Sequence, residues 1–512
     1  MASKTTTESD EMDLLNTPEF TAHVKDLLQR HHVPGLAIAT VRNGTVTSAG
    51  YGWASLDPPR ECTADTLFDI ASASKSLTAA SVGLLVEDEK YPQVQWEAAM
   101  SSLLPGDFVM PTQEQTDGVT VDDVLSHRTG MPSHDNSYMG QRAKEPDTPR
   151  SVTRNLRNLQ PAAPIRSKYM YCNMMYTVAT DLVEEISGLE FPDFLDEHFF
   201  KPLAMDSSNV QPSRARARGL GDRIAPGYFW DKESGEYKGW ENPSTPEAQG
   251  AGSVITSVND YIKYVKAMMD REAPFTEGLY KGLIRSRSFQ DPEYRHQSPH
   301  TSPTLYAAGW ELRWYRGRLI VSHDGMISGF GTTHFFLPEF KFGAVIFGNA
   351  SSAWEVAFVL AQELIDEVLE VPKDQREDWN KVEEELGGGE FDDDDLETVQ
   401  KRLCPGIKEP EPLETPLGAY TGDYWNLGYH GMKVEIKEGR LFIDAKDRSM
   451  GFELSFSHVC NQTKFVAHLA DEFTGGDIPF RAEFELSGGK AVRMGLHLEA
   501  GIEEYIWFDR LD

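Results

Sequence analysis

A chain of 512 residues exceeds a usual single domain, and with 40% hydrophobic residues it has ample material for a sizeable core, so two domains are the default. Its formal net charge of −32 argues against nucleic acid or an anionic membrane as a partner, since both demand basic surface to release counterions. The polar, acidic segment 1–12 resembles neither a secretory signal nor a transit peptide, and no stretch reaches the apolar length that spans a bilayer. The four cysteines (Cys62, Cys172, Cys404, Cys460) are scattered without a CxxC pair, which argues against a zinc site or a disulfide framework and for a reducing, cytoplasmic location.

In chain order, 18–31 is predicted to be a helix with Phe20, Val24, Leu27 and Leu28 on one face. A hairpin follows over 35–54, turning at Asn43-Gly44, where a type I′ turn needs positive φ at both central positions. The apolar, proline-free run 77–86 predicts a buried helix. Short helices are expected at 121–125, 176–186 and 259–269, among Pro- and Gly-rich loops. Strand-like runs return at 315–321, 331–337 and 342–348, followed by a long amphipathic helix over 353–369. Strands at both ends with helices between imply an antiparallel sheet completed by distant segments and covered by helices. The stretch 373–414, with its Gly387-Gly-Gly389 and Asp392-Asp-Asp-Asp395 runs, reads as a partly helical, partly disordered acidic linker that buries little apolar surface. Alternating runs from 415 onward predict a small all-β domain.

Within this frame, Phe68-Asp-Ile-Ala-Ser-Ala-Ser-Lys75 sets the Ser72 hydroxyl and the Lys75 amine one helical turn apart, on one face. A neutral amine there can take the serine proton, which activates a serine without histidine. The start of a helix also offers unpaired amides and a dipole that favour developing negative charge. Further along, Tyr171-Cys172-Asn173 supplies a phenol near the cationic Lys168, and an amide that can both donate and accept. Last comes His323-Asp324-Gly325, read as following a strand over 318–322, with a glycine that lets the backbone approach a ligand closely.

In this order the SxxK, YxN and HxG pieces resemble the serine β-lactamase and penicillin-recognising family, in its class C and esterase or D-aminopeptidase branch. Three further segments are similar to that family: Leu125-Ser-His-Arg-Thr-Gly-Met-Pro132, Phe200-Lys-Pro-Leu-Ala-Met205 and Gly250-Ala-Gly-Ser-Val-Ile-Thr-Ser257. The resemblance implies an α/β fold: a β-lactamase-like sandwich with an all-helical region over 18–372, then the linker 373–414 and a lipocalin-like β-barrel over 415–512. Residues 1–17 are expected to be a flexible tail.

The resemblance makes Ser72 the nucleophile, with Lys75 and Tyr171 sharing the acid and base roles. The oxyanion would lie between the amides of Ser72 and Met326, each donor of this kind contributing roughly 3 to 4 kcal/mol. Asn173, His323 and Gly325 complete the substrate and oxyanion set. No metal or cofactor is implied, and no histidine pair has HExxH spacing. The family's β-lactam-directed members resemble one another in having lysine where His323 stands. A histidine with a pKa near about 6.5 is largely neutral, which turns the expectation from penicillins toward esterases, amidases and acyltransferases. Asp324 has two readings: it raises the His323 pKa or recruits a substrate amine, or it points away. The expected partner is a small ester or amide. A D-stereospecific aminopeptidase or amidase is the alternative, and a catalytically silent binding or filament-forming scaffold the reading of another class. The oligomeric state stays open, a homodimer being one option.

Overall fold

Asn43 and Gly44 turn the first hairpin with φ of 50° and 85°, pairing Gly35–Arg42 with Thr45–Leu56 in a register that sets Arg42 opposite Thr45. This is a computed structural model, and it describes residues 14–295, 297–386 and 395–511. The tail expected over 1–17 lies mostly outside them; within them, Leu14–Asn16 forms a single 3-10 turn.

The hairpin joins a nine-stranded antiparallel sheet in the order Pro59–Glu61, Thr45–Leu56, Gly35–Arg42, Phe342–Gly348, Phe330–Leu337, Arg318–Ile327, Glu311–Tyr315, Leu305–Tyr306, Ser288–Phe289. The N-terminal hairpin thus pairs with the last strand of the region, as the expectation of a sheet closed by distant segments requires. Helix Pro18–Arg30 begins at Thr17, whose hydroxyl accepts from Phe20 N, and it buries the four apolar residues expected of it. With helix Ala353–Val368 it encloses a core that includes Leu36, Ile38, Phe335 and Ile346. Helix Val258–Asp270 packs on Phe342–Gly348 and Gly35–Arg42.

Two findings depart from the sequence expectations. Arg318–Ile327 is one unbroken strand, so His323, Asp324 and Gly325 lie inside it, paired to His334, Thr333 and Thr332, rather than after its end. In the expected linker, helix Trp379–Leu386 buries Trp379 and Val382 in the core of the sheet region, and helix Leu396–Leu403 buries Val399 and Leu403 beside Val459 and Val466. Short amphipathic helices need only one or two large apolar residues to dock, a signal that the surrounding acidic runs mask. The glycine run and most of the aspartate run lie outside the described residues.

The chain forms two compact units, and they are not successive segments. One comprises Met1–Ala98 with Ala179–Gly389, the other Ala99–Val178 with Glu390–Asp512. In the second, the strands from Gly422–Asn426 to Ile506–Arg510 form a closed eight-stranded antiparallel barrel, each paired to the next and the last to the first. Cys404 and Cys460 form a disulfide, while Cys62 and Cys172 are free and buried. The two half-cystines are 56 residues apart and meet because the helix Leu396–Leu403 docks on the barrel, so the expectation of no disulfide from their scattered spacing is corrected. Among the described residues no helix is long and apolar enough to cross a membrane.

Candidate active site

Ser72 lies in a 3-10 turn, Ala71–Ser74, that runs directly into helix Lys75–Glu87. The turn is strained: Ala71 has φ 47°, a left-handed conformation that a non-glycine residue adopts at a cost of roughly 1–3 kcal/mol. Asp69 holds it, one carboxylate oxygen accepting from Ala71 N at 2.8 Å and the other from Asn242 Nδ2 at 2.6 Å. Burial pushes the Asp69 pKa up to about 6 against these hydrogen bonds, which favour the charged form.

Lys75 is fully buried, and its Nζ donates to Ser72 Oγ at 2.9 Å and to Ala251 O at 2.8 Å. An amine at hydrogen-bond distance from a hydroxyl has the geometry of a nucleophile and its base. The segment Gly250 to Ser257 is the cradle of this pair. Gly250 O accepts from Thr78 Oγ1, Val254 N donates to Ser74 Oγ, and the strand Val254–Thr256 pairs with Phe68–Asp69 just before the turn.

From another side the strand Arg318–Ile327 touches the same turn. A Cβ on Gly325 would meet Ile70 O at 2.2 Å and Ala73 N at 3.0 Å, so only glycine fits. Met326 follows and is 45% exposed. His323, expected among the substrate-binding residues, has both ring nitrogens engaged within the protein. It is buried, Nδ1–H donates to Asp324 O at 2.6 Å, and Nε2 accepts from the Tyr306 hydroxyl at 2.8 Å. Burial, then the nearby Lys75 charge, pull its pKa down to about 3, so it is neutral at physiological pH. The Asp324 carboxylate does not face it; it accepts from Thr333 Oγ1 and Trp354 Nε1, the second of the two orientations considered. Tyr306, absent from the sequence expectations, closes the His323 site; no motif marks it.

The remaining candidates belong to the second unit. Asn173 opens helix Asn173–Ser187, and its Nδ2 donates to both carboxylate oxygens of Asp135, at 3.2 and 3.1 Å. The amide nitrogen is thereby turned toward Asp135. Tyr171 lies against the His127 ring, with centroids 4.3 Å apart. His127 also accepts from Cys172 N at its Nδ1, and its carbonyl accepts from Met170 N. Tyr176 donates to Leu125 O. The segment Leu125 to Pro132 thus supports the YxN residues, with His127 and Asp135 as supports that sequence reasoning missed. His127 stood within a recognised segment, but nothing in its spacing marks it as a rest for Tyr171.

The sheet carries the serine turn with a buried lysine amine at hydrogen-bond distance from the Ser72 hydroxyl. The family profile described as Beta-lactamase matches residues 20–365, and the chain belongs to that family. A second profile, a domain of unknown function designated DUF3471, matches residues 407–510, the barrel. One curated relative is the unguisins hydrolase ungD′ of Aspergillus campestris (strain IBT 28561), 34% identical over 100% of this chain and 94% of the relative. Among solved structures, the octameric penicillin-binding protein homologue from Pyrococcus abyssi matches with a TM-score of 0.59 at 18% identity, covering 98% of this chain and 100% of its own. A class C β-lactamase matches with a TM-score of 0.54 at 16% identity, covering 73% and 100%. These structures establish likeness of fold, a class C β-lactamase being among the folds that match.

Proposed function

We propose that this member of the β-lactamase family is a serine hydrolase that cleaves a small amide or ester through an acyl-enzyme on Ser72. The observation that carries the reading is the 2.9 Å contact between the buried Lys75 amine and Ser72 Oγ, on a turn strained at Ala71 and approached by Gly325. Lys75 and Tyr171 share the proton transfers: one takes the Ser72 proton as Oγ attacks the carbonyl carbon, and a protonated partner delivers a proton to the leaving amine or alcohol. The amides of Ser72 and Met326 stabilise the oxyanion, and Asn173 orients the acyl group. Water then adds to the acyl carbon, the ester bond to Ser72 breaks, and Oγ regains its proton.

Similarity across the full length to an unguisins hydrolase makes unguisins the first candidate substrates. The neutral His323 supports a substrate that needs no fixed cation for a carboxylate. Hydrolysis of an unguisin, followed by mass spectrometry of the products, is expected with wild type and absent with Ser72→Ala. Fluorophosphonate labelling read by intact mass identifies the nucleophile independently of substrate, and equal labelling of both proteins would overturn the assignment. p-Nitrophenyl acetate, a D-alanine anilide and a chromogenic cephalosporin then separate esterase, amidase and lactamase activity.

A further inference from the structure

Three loops of the barrel grip the segment that leads to Asp135, the residue holding Asn173. The Tyr429 hydroxyl donates to His134 Nδ1 at 2.7 Å, while His134 Nε2–H donates to Gln160 O at 2.9 Å. Arg448 donates to Tyr429 O and Gly431 O at 2.8 and 2.9 Å, and Met139 forms a β-bridge with it. Glu499, only 7% exposed, accepts at Oε2 from His134 N (2.7 Å) and Ser133 Oγ (3.1 Å), and at Oε1 from Gly501 N (3.0 Å). Gly501 lies so close that a Cβ there would stand 2.9 Å from Pro132 Cβ and 3.4 Å from Met170 Cε.

These contacts converge on a residue in an uncommon conformation. His134 is buried with φ 48°, a left-handed state that a non-glycine residue keeps only when its surroundings hold it there. Asp135 follows directly, so the direction of its carboxylate depends on the His134 backbone. Release of His134 to extended backbone would swing Asp135 off Asn173. Every group on the Glu499 carboxylate is a donor, so a glutamine in its place would set N–H against N–H or O–H at one oxygen or the other.

We propose that Glu499 is a positioning residue for the acyl-transfer site: by fixing His134 it keeps Asp135 on Asn173 and so sets the direction of the Asn173 amide. The catalytic part of this inference rests on the reading of Asn173 as a substrate-orienting residue. The barrel is then a working part of the site's support.

The test uses the full chain with Glu499→Gln, Glu499→Ala, Asp135→Asn and the double variant E499Q/D135N. Hydrogen exchange read by mass spectrometry is expected to rise about tenfold in peptides covering 131–136 and 170–175, with the barrel strands unchanged, as for a local opening. The kcat/KM for p-nitrophenyl acetate should fall between about tenfold and a hundredfold in either single variant, and the double variant should lose no more than the worse single one, because both act through Asn173. Wild-type exchange in both peptides, multiplicative losses in the double variant, or exchange raised throughout the barrel would each overturn the proposal. Exchange is read without turnover, so a wild-type protein that Ser72 reagents do not label overturns the acyl-enzyme reading while the clamp on Asp135 is still decided.

Discussion

Gly325 Cα faces the carbonyl of Ile70 so closely that a single methyl group between them would stand 2.2 Å from the oxygen. The obstacle is backbone on both sides, Ile70 O and Ala73 N, so neither can rotate away. Gly325→Ala is expected to destabilise the chain by about 1–3 kcal/mol in urea unfolding, and to slow fluorophosphonate labelling of Ser72 more than the stability loss explains. Labelling at the wild-type rate would show that the strand and the serine turn need not be in register.

Ser72→Ala and Lys75→Ala are each expected to lower turnover by at least roughly a thousandfold, and both together by little more than either alone. Residues that act as one unit are not additive, so the double variant is the informative one. Independent, multiplicative losses would separate the lysine from the serine chemistry.

The acid side of the stability profile should carry the mark of His323. Its native pKa of about 3 lies below the ordinary value of about 6.5, so between those pH values the unfolded chain holds a proton that the native chain lacks. The contribution is fully present above about pH 6.5 and is lost as pH falls toward 3, by at most about 1.4 kcal/mol per pH unit. His134 and His334, also held below the ordinary value by burial, act in the same direction. Asp69, raised to about 6, acts oppositely, its native form holding the extra proton between about pH 3.8 and 6. Urea midpoints at about pH 7 and about pH 5 should therefore differ less in His323→Asn than in wild type; an unchanged difference would place the ring's proton affinity elsewhere.

Alkylation of the unreduced, unfolded protein should modify two thiols, Cys62 and Cys172, and four after reduction. The bridge closes a loop of 56 residues, so Cys404→Ala should cost between about 2 and 4 kcal/mol in barrel stability. Four reactive thiols before reduction would restore the expectation drawn from the cysteine spacing.

What could be read from sequence was what depends on neighbours along the chain. The Asn43-Gly44 turn, the apolar face of helix Pro18–Arg30 and the Ser72 to Lys75 spacing are all local, and each appears where expected. Tyr306 and Asp135 could not be read, because their partners lie 17 and 38 residues away and no periodicity records them. The strand through His323 was misread for a related reason. Gly325 resembles a strand end when only its own preferences are weighed, whereas its pairing with Thr332 carries the ladder onward. The family segments fared differently: their resemblance marked Gly250 to Ser257 and Leu125 to Pro132, and the contacts show what those stretches do in this chain, one cradling Lys75 and the other lying against Tyr171.

The grouping of Ala99–Val178 with Glu390–Asp512 bears on how the protein is made. Residues that complete the surroundings of His134 and Asn155, namely Tyr429, Glu499 and the Gly428 carbonyl, leave the ribosome more than 250 residues after the segment they hold. Until then Ala99–Val178 is an insertion without its packing partner, and Asp135 cannot be fixed until the barrel has followed it out of the ribosome. Nascent chains in which the serine turn has formed would still await Glu499 before His134, and through it Asn173, is held.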